Sequence, residues 1–162
     1  NLFIGSFDVN NAMSNPLKAT KFGLPFRHVP TYLAGYYKYK AGDQFTEGGK
    51  PVNGKRDICD IYAIMYETSE SVPTLDGTNA FTSPNLISTA RINNAKETNE
   101  WTYFKLPFTT LPGKFIDKEK LMDGKYNIAI VFTSSLEGDH FNGAIGSTLL
   151  IDEAELSYHS ED

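Results

Sequence analysis

The chain has 162 residues, a formal net charge of −5 and a pI of about 5.2. That length suffices for one domain with a sizeable core, and 13% aromatic content, with 9 Tyr and 11 Phe, excludes a disordered chain and favours strands. The acidic balance gives no footprint for nucleic acid or an anionic membrane surface, and no apolar run approaches the roughly 20 residues that cross a bilayer.

Residues 2–9 (LFIGSFDV) predict a first strand, and 10–30, with three prolines and repeated asparagine, predict a long irregular loop in which Phe22, Leu24 and Phe26 alternate as an edge strand would. Residues 32–40 (YLAGYYKYK) predict a strand with Leu33, Tyr37 and Tyr39 on one face and Tyr36, Lys38 and Lys40 on the other. A loop is expected over 44–56. Residues 58–67 (ICDIYAIMYE) follow as a strong strand, with Cys59, Ile61, Ala63 and Met65 on one face and Ile58, Asp60, Tyr62, Ile64 and Tyr66 on the other. After a long loop over 68–85, 86–92 predict a strand, 93–100 one helical turn, and 101–108 a strand with Thr102, Phe104, Leu106 and Phe108 inward and Trp101, Tyr103 and Lys105 outward. Residues 117–122 predict a short helix, and Asp123-Gly124 a turn.

The stretch 126–158 organises the rest: two apolar strands flank a polar, glycine-rich loop at 134–147. The first, 126–133, is apolar almost throughout, as in a strand covered on both faces. The second, from Thr148, alternates so that Ala154 and Leu156 oppose Glu153 and Glu155. Seven or more short strands between turn-rich loops predict an all-β fold, an antiparallel β-sandwich with jelly-roll topology. The lone Cys59 excludes an internal disulfide and reads as a buried, inert thiol.

Four constellations carry candidate chemistry. On the strands 32–40 and 58–67, Tyr36, Lys38, Asp60, Tyr62 and Tyr66 combine flat rings with an acid and a base. Aromatic faces cover the C–H side of a pyranose, and the charged groups hydrogen-bond its hydroxyls. The alternative is an ordinary solvated face in which Lys38 pairs with Asp60 and adds about 0–1 kcal/mol. In the 134–147 loop, Ser134, Ser135, Asp139 and His140 offer directional partners to a ligand, or glycines simply serve the turn. Glu153 and Glu155, roughly 7 Å apart along a strand, fall in the inverting-glycosidase range of about 6.5–9.5 Å, although their alternation against Ala154 and Leu156 turns them to solvent. Trp101 and Tyr103 form either an exposed binding platform or a surface under a long loop. His/Cys spacing suited to zinc is absent, as are the nucleophile-elbow, phosphate-loop and dinucleotide fingerprints. No cofactor is expected beyond a structural calcium at Asp152.

Several stretches together resemble the putative carbohydrate metabolism domain, a family of surface and exported proteins of Gram-negative gut anaerobes. They are GLPF at 23–26, LAGYYKYKAG at 33–42, DICDIYAIMYE at 57–67 and YNIAIVFTSSLEGDHFNGAIGSTLLIDEAEL at 126–156. The resemblance implies a jelly-roll sandwich with a sugar pocket drawing on Tyr36, Lys38, Asp60, Ser134, Ser135 and Asp139. It also implies an oligo- or polysaccharide partner, and a preceding immunoglobulin-like domain for which this chain has no room. Because the chain opens on Asn1, it is expected to be a mature or excised C-terminal part of an exported protein, at the cell surface or in the periplasm, anchored to the outer membrane through a missing segment. Three functions compete: a non-catalytic carbohydrate-binding module, which the residues favour; a glycoside hydrolase using a carboxylate pair; and an adhesion or scaffold domain.

Overall fold

Apolar alternation converts into strands along nearly half of the chain. The computed structural model describes residues 1–159. It begins β1 (Leu2–Phe3), β2 (Gly5–Phe7), α1 (Pro16–Ala19), β3 (Thr20–Phe22), β4 (Leu24–Pro25) and β5 (Val29–Lys40). Then come β6 (Phe45–Glu47), β7 (Lys50–Pro51), β8 (Asp60–Glu67), β9 (Leu86–Arg91), β10 (Thr98–Pro107) and β11 (Thr109–Thr110). The short helix α2 (Lys118–Met122), β12 (Tyr126–Thr133), a 3₁₀ turn at Gly138–His140, β13 (Gly143–Ala144) and β14 (Thr148–His159) complete the path.

Two antiparallel sheets form the sandwich. The larger has the order β1-β12-β8-β9-β11, with β4 also paired to β12, and the smaller has the order β10-β5-β14. The chain passes from β1 to β5 in the other sheet, returns for β8 and β9, crosses to β10, returns for β12 and ends on β14. That interleaving is a jelly roll. Between the layers, Leu33, Tyr37 and Tyr39 of β5 meet Cys59, Ile61, Ala63, Ala90, Phe104 and Leu106. The parity expected for β5, β8 and β10 is the one observed: these residues are buried, whereas Trp101 and Tyr103 are exposed.

Burial pushes the Cys59 thiol up to about 12, which leaves almost no thiolate near neutral pH. The native chain at pH 8 is therefore expected to resist an aromatic disulfide reagent and to release one equivalent of chromophore only on denaturation. Rapid labelling without denaturant would contradict the buried placement.

Strand β8 is covered on both faces. Its outward side chains Tyr62, Ile64 and Tyr66 sit in a second buried cluster with Phe22, Leu75, Ala80, Leu86, Ala129 and Val131. The N-terminal segment and the 68–85 loop supply the cover, and Tyr66 ties them together. Its phenol donates to the Phe22 carbonyl and accepts from the Leu75 N–H (3.3 Å) and Asn127 Nδ2 (3.0 Å). The expected mixed, open strand face is thus mostly interior, because an unpaired tyrosine face would leave much apolar surface in water.

Other expectations change in detail. Residues 2–9 are not one strand: β1 pairs with β12, while β2 pairs with β3 in a separate ribbon. The 44–56 loop holds the hairpin β6–β7, turned at Gly48 and Gly49, whose φ values of 55° and 79° suit a type I′ turn. No helical turn forms over 93–100, because Thr98 already pairs with Tyr39 in β10. In β14 the register shifts between Asp152 and Glu155, and Glu153 has φ 51°. This bulge rephases the strand, so Ala154 is exposed instead of packing in the core and Glu153 and Glu155 are not a simple same-face pair. Asp152 Oδ1 accepts the Glu153 N–H at 2.9 Å.

Candidate functional site

A recessed pocket of about 140 Å³ opens on the outer side of the larger sheet; Asp60, Tyr62, Phe81, Arg91, Ser135 and Asp139 are among its walls. Asp60 opens β8, and Tyr62, two residues on, shares its face. Arg91 ends β9 directly opposite Tyr62. The guanidinium therefore reaches Asp60 as a fork, with Nε donating to Oδ1 at 3.2 Å and Nη2 to Oδ2 at 2.7 Å. Asp60 is only 4% exposed, while the Arg91 side chain is 41% open to solvent. Two of the five guanidinium N–H donors serve Asp60, which leaves three.

Aromatic walls fix that arginine. Its guanidinium carbon lies 4.1 Å from the Phe81 ring centre and 5.7 Å from that of Tyr62, and the two rings meet edge to face at 4.7 Å. Burial, reinforced by the Asp60 charge, pushes the Tyr62 phenol well above its ordinary value. It remains a neutral hydroxyl throughout the physiological range. Rings, a half-open guanidinium, hydroxyls and carboxylates thus converge on one small cavity.

The 134–147 loop forms its rim, and Asp57 holds the loop down. This carboxylate, 5% exposed, accepts from Ser135 Oγ (2.5 Å), Ser147 Oγ (2.7 Å) and the Ala144 N–H (3.0 Å) through Oδ2, and from the Ile58 N–H (3.0 Å) through Oδ1. The Tyr39 phenol, pushed up to about 12 chiefly by burial, donates to the Ser134 carbonyl at 2.8 Å. The Gly42 N–H donates to Ser147 Oγ at 3.0 Å, and a Cβ on Gly42 would stand 2.1 Å from the Ile145 carbonyl oxygen. Only glycine admits that close approach.

The structure therefore divides the seven residues predicted for the site. Asp60, Tyr62, Ser135 and Asp139 line the pocket. Ser134 does not; it borders a separate shallow hollow beside Trp101. Tyr36 and Lys38 lie on the far side of the sandwich, where the Tyr36 ring stands 5.3 Å from Tyr103 and Lys38 Nζ 4.8 Å from the centre of Trp101. Lys38 and Asp60 form no pair. The reason is topological: β5 and β8 belong to different sheets and bury Tyr37 and Ile61 against the same core, so their even-numbered residues point outward in opposite directions. His140 is exposed at 3.9 Å from Asp139. Among the described residues no group of three or more His, Cys, Asp or Glu is placed to hold a metal.

Arg91, Phe81 and Asp57 are site residues that the sequence reading missed. Arg91 is visible as the single cation closing the 86–92 strand, but its role depends on the β8–β9 register. Asp57 carries a weaker signal, an acid at the entrance of an apolar strand, and nothing local marks Phe81.

A family model described as "Putative carbohydrate metabolism domain" matches residues 1–157. Among solved structures, a protein described as a putative glycoside hydrolase from Bacteroides thetaiotaomicron is 89% identical over 98% of this chain, with a TM-score of 0.97. Another, described in the same words and from Bacteroides vulgatus, is 48% identical over 97%, with a TM-score of 0.92. The chain spans 47% and 63% of those two proteins. A search of curated proteins gives no match.

Proposed function

Because the chain belongs to the putative carbohydrate metabolism domain family, we propose that it is a carbohydrate-binding β-sandwich domain of glycan recognition or utilisation, and that a saccharide enters the pocket beside Asp60 and Arg91. The half-open guanidinium carries this reading. It is fixed in place by a buried carboxylate and two rings, yet keeps donors for sugar hydroxyls. Phe81 and Tyr62 offer the flat apolar surfaces that a pyranose ring covers, and Ser135 and Asp139 add acceptors at the rim. Fixing the donors before the ligand arrives spares ordering entropy on binding.

Calorimetric titration against a panel of neutral and acidic oligosaccharides tests the proposal. At least one glycan should bind, with affinity lowered about tenfold by Arg91→Lys, which keeps the charge but loses the fork, and lowered also by Asp139→Asn. A wild-type chain that binds nothing in the panel, or binds equally well with both substitutions, would sink it. A second reading, glycoside hydrolysis, draws support from two carboxylates, Asp60 and Asp139, lining one pocket. Against it, both Asp60 oxygens already accept from Arg91. Release of reducing ends that disappears with Asp139→Asn would put catalysis in place of simple binding. We further propose that the chain belongs to an exported protein at the cell surface or in the periplasm and follows an immunoglobulin-like domain.

A further inference from the structure

The outer face of the smaller sheet has no part in the pocket, yet it is built of rings and ammonium groups. From β5 it presents Tyr32, Tyr36 and Lys38; from β10, Trp101, Tyr103 and Lys105. Tyr36, Trp101 and Tyr103 are 37%, 44% and 55% exposed, so no loop covers them. The six are arranged in pairs: Lys38 Nζ lies 4.8 Å from the centre of Trp101, Lys105 Nζ lies 4.4 Å from that of Tyr32, and the Tyr36 and Tyr103 rings stand 5.3 Å apart between them. Neither lysine forms an ion pair with a described residue. Lys40, exposed at the end of β5, adds a third positive charge. The exposed carboxylates of this sheet are Glu100, beside Trp101 in β10, and Asp152, Glu153 and Glu155 of β14, on the other side of β5, so that along β5 and β10 Lys38, Lys40 and Lys105 outnumber a single acid. A positive, aromatic strip thus crosses a protein of net charge −5.

The geometry points to a second carbohydrate surface on this strip, one that takes an extended polyuronate laid along β5 and β10. Each uronosyl residue has an apolar C–H face and one carboxylate at its ring edge. A ring with an ammonium beside it, as in Trp101 with Lys38 and Tyr32 with Lys105, answers both features at once. Charge complementarity selects an acidic chain over a neutral one. The exposed rings distinguish a sugar from other polyanions, since stacking requires a ligand with a flat apolar face. This surface is independent of the Asp60–Arg91 pocket.

Titration of the chain with an oligogalacturonate at low and high salt provides the test, with a neutral galacto-oligosaccharide and polyglutamate as comparison probes. Binding is expected for the uronate, weakening as salt rises, and lowered about tenfold or more by Trp101→Ala with Tyr103→Ala and by Lys38→Gln with Lys105→Gln. Uronate binding lost through Asp139→Asn but kept in the lysine double variant would assign it to the pocket, so failure of the pocket reading and failure of this one are separable. The lysine pair lies outside the core and reports even where the ring variants fold poorly. Absence of uronate binding, equal binding of the neutral sugar or of polyglutamate, or loss through Asp139→Asn alone would each overturn the assignment.

Discussion

Replacing Asp57 with alanine is expected to destabilise the chain by about 3 kcal/mol, seen as a fall of roughly 6–12 °C in Tm. The substitution removes the acceptor of four hydrogen bonds, two from serine hydroxyls and two from backbone N–H groups. Buried donors left without partners cost about 1–3 kcal/mol each, but the hydroxyls can turn toward other acceptors, so the total falls below the sum. No neighbouring group can fill the gap cheaply. The site is closely packed, since a Cβ on Gly143 would lie 2.9 Å from Ser135 Oγ and 3.1 Å from Asp57 Oδ2. Asp57→Asn keeps the shape and one acceptor oxygen and should cost about half as much. Glycan binding at the pocket should weaken in parallel, because Ser135 and Asp139 ride on the released loop. Denaturant titration with an unchanged m-value checks the stability. A loss under about 1 kcal/mol would mean that backbone bonds such as Leu136 N–H to the Ile58 carbonyl, at 2.8 Å, hold the loop unaided.

Arg91→Ala should be nearly as damaging, for a different reason. It strips the partner from a carboxylate that is 4% exposed, and an uncompensated buried charge commonly costs about 3–5 kcal/mol. Since the Arg91 side chain is 41% exposed, water can enter where it stood, and about 2–4 kcal/mol is the expected loss. Packing against Phe81 and Tyr62 goes with it. The double variant Asp60→Ala with Arg91→Ala should be less destabilised than the two single losses summed, with a coupling of about 1–3 kcal/mol. Additive losses would show that the fork contributes only packing. The same experiment separates stability from function: the double variant regains part of the lost stability, but its pocket holds no fixed donor and should remain unable to bind. If it binds sugar as well as the wild type, Arg91 has no role in recognition.

The pocket was half legible in advance. Asp60 and Tyr62 stood out because a charge and a phenol interrupt an otherwise apolar strand, and Ser135 and Asp139 because they lie in a glycine-rich loop between two apolar stretches. Tyr36 and Lys38 show the same local pattern, yet they serve another surface. Alternation tells which residues share a face of one strand; it does not tell which strands share a sheet. Arg91 escaped notice for the converse reason. Its meaning comes from a register partner 29 positions away, Tyr62, and no local pattern carries that.

Sequence alone determined the β class, the main strands and, for β5, β8 and β10, the side that turns to the core between the sheets, because period-two burial is a property of the extended backbone and needs no knowledge of neighbours. It also determined the inert thiol, whereas only β12 of the two strands flanking the 134–147 loop is buried. Tertiary structure alone decided which polar residues meet. Long-range pairing put β5 and β8 in opposite layers, folded the N-terminal segment and the 68–85 loop over one of them, brought Phe81 and Arg91 to the pocket, and set Asp57 under the loop that rims it. A site made from several strands and loops depends on how the sheets stack, and that is settled by burying the whole apolar surface at once.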